Sequence, residues 1–100
     1  MKFVYEDGLR EYMERKGKKV IVVEVAASNH SDFEVTEIFL RFSSEKHAAY
    51  LIDKKRYRGY KTELGQVLLP PYRLEYEEVI TFGLKKIAVF HSITQKGIRM

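Results

Sequence analysis

The chain has 100 residues, the size of one small domain, and its 45% hydrophobic and 32% charged residues are typical of a soluble globular protein. It contains no cysteine, which excludes disulfides, thiolate metal sites and a cysteine nucleophile. No apolar run approaches the roughly 20 residues of a membrane-spanning helix, and residues 1–7 become acidic too early for a signal peptide. We therefore expect one domain over residues 1–100, located in the cytoplasm and without a membrane partner.

The N-terminal quarter of the chain predicts a helix and then a strand. Residues 7–16 carry an apolar stripe at helical spacing, with Asp7 as the predicted N-cap and Gly17 as the residue that ends the helix. Residues 20–25 are almost all β-branched. This composition predicts a strand that is buried on both faces near its start.

A polar stretch follows and separates two strands. Residues 26–32 are rich in Ser, Asn and Asp, which favours a turn because these side chains bond to nearby backbone groups. A second strand is predicted over residues 33–42. Its apolar alternation changes phase along the strand, which predicts a bulge near Thr36 and Glu37.

The second half predicts short elements, most of them strands. Residues 44–55 favour a helix capped by Ser44, although residues 48–52 also fit a short strand. Further strands, separated by turns at 57–60, at the two prolines and at Gly83, are predicted over residues 60–62, 66–69, 79–82, 86–93 and 98–100. We therefore expect an α+β fold in which one N-terminal helix is followed by a small, mostly antiparallel sheet or sandwich.

The order of these elements resembles a known family. A helix ending in Lys-Gly, a Val/Ile strand and a polar loop are followed by the Gly-x-Val-x-Leu-Pro strand of residues 65–70 and by the segment 80–90. This pattern resembles the HesB/IscA-like iron–sulphur biogenesis fold, nearest the small branch with a Cys-Cys or Cys-Sec motif, with residues 44–58 as an insertion. The family's chemistry is carried by cysteines, which residues 26–32 and 92–96 lack. The resemblance therefore implies a HesB-like fold without a cluster.

The polar stretch also holds candidate metal ligands. His30 and Asp32 offer nitrogen and oxygen ligands that suit Fe, Mn or Zn, and His47 or His91 would complete the site if the fold brings one of them close. The alternative is a solvated turn whose polar side chains bond to their own backbone. His91 also fits a half-buried strand histidine. No cofactor is predicted.

Positive charge is concentrated in one segment. Residues 46–61 contain six basic residues and one acid, whereas the rest of the chain is nearly neutral. Cations interleaved with tyrosines suit phosphates and unpaired bases. The candidate nucleic-acid-binding residues are Lys54, Lys55, Arg56, Tyr57, Arg58, Tyr60 and Lys61. The alternative is a solvated segment that protects a strand edge from pairing with other chains.

Three hypotheses about function follow. The sequence holds no glycine-rich phosphate loop and no nucleophile elbow, so we expect no enzyme. The leading hypothesis is a non-enzymatic accessory or binding protein that acts through a protein partner. The alternatives are a metal-binding or metal-delivery protein that uses His30 and Asp32, and a small nucleic-acid-binding module that uses residues 54–61. The sequence leaves the oligomeric state open.

Overall fold

The computed structural model describes the backbone of residues 1–30 and 33–100 and the side chains of residues 1–26 and 37–100. Within these residues the chain forms two helices and seven strands. Neither of these helices is long and apolar enough to cross a membrane. In chain order the elements are β1 (Lys2–Tyr5), α1 (Asp7–Lys16), β2 (Val20–His30), β3 (Phe33–Ser43), α2 (Glu45–Lys55), β4 (Arg58–Lys61), β5 (Gln66–Leu69), β6 (Glu75–Ile87) and β7 (Phe90–Arg99).

The strands form two sheets, and each sheet mixes parallel and antiparallel pairs. In the first sheet, β6 lies between a parallel β1 and an antiparallel β7. The second sheet has the order β3-β2-β5-β4, with β2 and β5 parallel and both outer pairs antiparallel. The expected N-terminal helix followed by a mostly antiparallel sheet is therefore wrong. β1 precedes the helix. Its four residues carry little periodic signal of their own, and they form a strand because the distant β6 pairs with them.

The two sheets share one apolar core. It contains Tyr5, Ile80, Phe82 and Ile93 from the first sheet and Ile21, Val23, Val67 and Leu69 from the second, with Leu9 and Met13 of α1. On the other face of the second sheet, α2 covers a smaller cluster of Val20, Val22, Ala48, Leu51 and Leu68. Residues 20–23 are at most 1% exposed, which confirms that this strand is buried on both faces near its start.

Helix α1 has the predicted bounds but a different N-cap. Gly17 ends it in the left-handed conformation (φ 67°), as predicted. The N-cap is Glu6, which makes no side-chain capping bond, so the prediction of Asp7 is wrong. The backbone N–H of Glu6 donates to the carbonyl of Phe82 at 2.8 Å, which prolongs the pairing of β1 and makes Asp7 the first helical residue.

Helix α2 confirms the helical alternative for residues 44–55. Ser44 is its N-cap, and the Ser44 hydroxyl accepts a hydrogen bond from the backbone N–H of His47 at 3.0 Å. The side chains of Ala48 and Leu51 are buried against the second sheet. Arg56 ends the helix in the left-handed conformation (φ 61°).

Replacement of Ser44 by alanine is expected to lower the free energy of unfolding by about 1 kcal/mol, because one of the first backbone N–H groups of α2 loses its acceptor. Urea unfolding followed by circular dichroism measures the change. Ser92→Ala is the matched control, since Ser92 is exposed on β7. An equal loss in both variants would contradict a capping role for Ser44.

The polar stretch and the predicted bulge have a different structure from that expected. β2 continues to His30, so residues 26–30 belong to a strand and not to a turn. β2 and β3 pair without a register shift from Val20 opposite Ser43 to His30 opposite Phe33, so the bulge near Thr36 and Glu37 is wrong. A long continuous ladder outweighs the local preference of the polar residues for turns.

The two C-terminal strands form one hairpin. β6 continues through Gly83 as one strand, so the predicted hinge there is wrong. A side chain at Gly83 would overlap the Glu6 carboxylate, so this glycine permits a close approach of the chain. The turn lies instead at Ala88 and Val89, where Ala88 has φ 55° and Ile87 pairs with Phe90.

Candidate functional site

The candidate metal residues fall at the margin of the described chain. Asp32 lies outside the described residues, and so does the side chain of His30, the last residue of β2. His47 lies on α2, where its Nε2 is 3.3 Å from Nη2 of Arg41. His91 is exposed rather than half-buried and stacks on Tyr12, with ring centroids 4.9 Å apart. Over the part of the chain that is described, no group of three His, Asp or Glu side chains is arranged to hold a metal ion.

The basic segment lies along the junction of α2 and β4. Lys54 and Lys55 occupy the last turn of the helix, and Arg56 follows as its C-cap. Arg58 and Lys61 begin and end β4, which is an outer strand of the second sheet. All five cations are exposed. The fold thus assembles them into one positively charged border.

The two tyrosines of this segment are half-buried in the protein itself. Tyr57 packs against the small cluster beneath α2, and Tyr60 packs against the main core, where its ring lies 5.8 Å from that of Phe3. Burial raises the pKa of the Tyr57 hydroxyl, and the charge of Glu24 adds to this effect. Alternate residues of a strand point to opposite faces. Tyr60 lies in β4, whereas Tyr57 directly precedes it, and the two side chains pack against the clusters on opposite faces of the second sheet.

A groove of about 470 Å³ opens between the two sheets. It is lined on one side by β1 and on the other by the end of β4, with Met1, Lys2, Phe3, Val4, Lys61, Thr62 and Glu63. β1 is an outer strand of the first sheet and β4 an outer strand of the second. A hydrogen bond of 2.6 Å between the hydroxyls of Tyr5 and Thr62 joins the two sheets beside the groove.

The ladder geometry identifies the backbone groups that face away from each sheet. Thr62 and Gly65 exchange two backbone hydrogen bonds at the end of the β4–β5 pair. Bonded and non-bonded residues alternate along an antiparallel pair, so Tyr60 also bonds to β5. The N–H and C=O groups of Gly59 and Lys61 therefore point away from β5. In β1, the N–H of Glu6 bonds to the carbonyl of Phe82, so by alternation the groups of Phe3 and Tyr5 point away from β6. Tyr5 is buried, so Phe3 alone of these two presents them at an open edge. Among the described residues, no further strand pairs with the outer edge of β1 or of β4.

The charge of the groove is positive. Lys2 and Lys61 line it, and neither makes an ion pair with residues 1–26 or 37–100. Glu63 also lines the groove, but it is ion-paired with Arg10. The hydrogen bond from Arg10 holds the pKa of Glu63 below its usual value. Both lysines thus remain available to a negatively charged ligand.

A second surface, the hairpin tip, consists of residues 87–90, from the last residue of β6 to the first residue of β7. Its large apolar side chains are exposed: Ile87 by 58%, Val89 by 80% and Phe90 by 75%. The sequence predicted a strand over residues 86–93, which include this apolar run, and no exposed surface. A turn predicted at Ala88 and Val89 would have indicated this surface, because residues at the end of a hairpin are not covered by a sheet.

Comparisons of the chain with protein-family models, with curated proteins and with solved structures returned no match.

Proposed function

We propose that this protein is a non-enzymatic binding module that takes an extended acidic segment of a partner protein into the groove between β1 and β4. The observation that carries the proposal is the position of two outer strands on the two sides of one positively charged groove. The proposal retains the leading hypothesis of a binding protein and names its surface.

The backbone supports strand addition. The outward N–H and C=O groups of Gly59 and Lys61 on β4, and of Phe3 on β1, are the groups to which an extended peptide bonds. An exposed strand edge is a template for pairing with another chain. A peptide that adds to either edge replaces water on these groups and gains affinity that does not depend on its sequence.

Charge supports an acidic peptide. Lys2 and Lys61 flank the groove, and Arg58 with the exposed end of α2 extends the positive surface along β4. Complementary charges across an interface direct encounter and select among partners. The basic segment then contacts carboxylates, while Tyr57 and Tyr60 support the strand from within the core.

The remaining hypotheses stay predictions. Metal binding by His30 and Asp32 stays a prediction because Asp32 and the side chain of His30 lie outside the described residues. Nucleic-acid binding by residues 54–61 also stays a prediction, although Tyr57 and Tyr60 already pack against the protein. The resemblance to HesB/IscA-like proteins also stays a prediction, and so does the cytoplasmic location.

A selection from a random library of extended peptides of about ten residues tests the proposal, because this length exceeds that of the four-residue edge strands. We expect enriched peptides in which Asp or Glu alternates with apolar residues. The double variant Lys2→Gln/Lys61→Gln is expected to weaken their binding by about 10-fold, as measured by fluorescence anisotropy. Methylation of alternate peptide nitrogens is expected to weaken it at least as much, because each methyl group removes a backbone donor.

The control is Lys46→Gln/Lys96→Gln, which removes the same charge at exposed positions outside the groove. Equal losses in the two double variants would show that only the net charge matters and would refute the groove. Enriched peptides that tolerate methylation at every nitrogen would refute strand addition.

A further inference from the structure

We propose that the hairpin tip, residues 87–90, inserts into the surface of an anionic lipid bilayer and anchors the protein there. This inference goes beyond the proposed function and concerns a different surface. The expectation that the protein has no membrane partner rested on the lack of a spanning segment. A surface anchor needs no such segment.

The tip is apolar and protrudes. Ile87 and Phe90 are directly opposite each other in the hairpin, and Val89 occupies the turn between them. Their exposures of 58%, 75% and 80% are among the largest of the apolar side chains in the described part of the chain. Clustered exposed apolar side chains mark interaction sites. A convex tip of this kind fits a surface that can deform around it, as a bilayer does.

Lysines lie next to the tip on both faces of the hairpin. Lys85 and Lys86 directly precede Ile87, and their side chains point to opposite faces because they are consecutive in a strand. His91 is opposite Lys86 in the hairpin, and Arg15 of α1 borders the same concavity of about 230 Å³. Glu11 also lines this concavity and offsets one positive charge there. Lys85 lies on the face that Ile87 and Phe90 share, so each face of the hairpin carries a lysine behind the tip.

The segment of sequence around the tip contains no acidic residue. Residues 79–100 contain Lys85, Lys86, Lys96 and Arg99 and no Asp or Glu. Cytoplasmic leaflets carry a negative surface potential that attracts such basic segments. This charge favours an anionic bilayer over a neutral one.

The spacing between the apolar and the basic residues fits the layers of a bilayer. Lys85 and Lys86 are two to three residues behind Ala88, which places them about 7–10 Å from the end of the hairpin at the rise of a strand. Interfacial segments bury their apolar face about 5–10 Å into the boundary between headgroups and acyl chains. The lysines then lie at the level of the lipid phosphates while the tip contacts the acyl chains.

Flotation of the full chain with phosphatidylcholine vesicles, with and without about 30% phosphatidylserine, tests the proposal. We expect binding to the anionic vesicles and little binding to the neutral ones. Lys85→Gln/Lys86→Gln is expected to lower the partition coefficient by about 30-fold, since each lysine near the surface contributes roughly fivefold. Val89→Ser/Phe90→Ser is expected to reduce it by at least as much.

The chain lacks tryptophan, so Phe90→Trp supplies a single reporter of depth. Its fluorescence is expected to shift to the blue on anionic vesicles and to be quenched by brominated acyl chains. Tyr72→Trp is the control, because Tyr72 is 58% exposed but lies outside the hairpin. Lys46→Gln/Lys54→Gln controls for net charge.

Three results would overturn the proposal: equal binding to neutral vesicles, an unshifted spectrum for Phe90→Trp on anionic vesicles, or equal losses in the two lysine double variants. Urea unfolding of Val89→Ser/Phe90→Ser establishes that the variant is folded, so that a loss of binding reflects the tip itself.

Discussion

Replacement of Gly65 by alanine is expected to lower the free energy of unfolding by about 3 kcal/mol or more. Gly65 has φ 153°, a backbone conformation that residues with a side chain rarely adopt. Backbone strain of this kind costs about 1–3 kcal/mol. An added Cβ would also overlap the backbone carbonyl oxygen of Lys19. That oxygen accepts a hydrogen bond of 2.8 Å from the N–H of Gln66, at the point where β5 begins to pair with β2. The backbone must therefore move where the two central strands meet.

Urea unfolding followed by circular dichroism measures this loss, and Gly8→Ala is the matched control. Gly8 lies in α1, and an added Cβ there meets no atom within 4 Å. Alanine at position 8 is expected to raise the free energy of unfolding by about 0.5–1 kcal/mol, because alanine favours helix and restricts the unfolded chain. The same substitution thus has opposite signs at the two sites. A Gly65→Ala variant as stable as the parent would contradict the close approach at Lys19.

Replacement of Phe82 by alanine is expected to lower the free energy of unfolding by about 3–5 kcal/mol. Phe82 is fully buried on β6, and its ring stacks on that of Phe3 at 5.9 Å and lies at the same distance from Tyr5. The loss of the ring removes this contact between β6 and β1 and leaves a cavity in the core that the two sheets share. A loss of this size is a large part of the 5–15 kcal/mol that typically stabilises a small domain.

Thermal and urea unfolding both test this expectation, with Phe90→Ala as the control. Phe90 is 75% exposed at the hairpin tip, so its replacement is expected to change the free energy of unfolding by less than about 0.5 kcal/mol. If Phe90→Ala destabilised the chain as much as Phe82→Ala, the hairpin tip would be packed rather than exposed. That result would also remove the basis of the membrane anchor.

The two binding proposals can fail separately. The groove depends on Lys2, Lys61 and the outward backbone groups of β1 and β4, whereas the anchor depends on Lys85, Lys86 and the tip. Peptide binding without vesicle binding would leave a soluble binding module. Vesicle binding without peptide binding would leave a surface protein whose partner is lipid.

Local pattern was sufficient to predict the elements whose signal lies within a few residues. The apolar stripe of α1, the serine cap of α2 and the β-branched run at the start of β2 each reflect interactions between near neighbours in the chain. The concentration of positive charge in residues 46–61 was also visible, because it requires only counting. The spacing of Tyr57 and Tyr60 was visible too, but its packing role was not.

Only the tertiary structure decided which strands are neighbours and therefore which edges are open. β1 pairs with β6, and β2 with β5, across long stretches of chain, and no local pattern encodes such pairs. The groove exists because these pairings leave β1 and β4 outermost, and the tip is exposed because the turn falls at Ala88 rather than at Gly83. Residue types specify which side chains prefer to be buried, whereas the assembly of the sheets determines which surfaces remain for a partner.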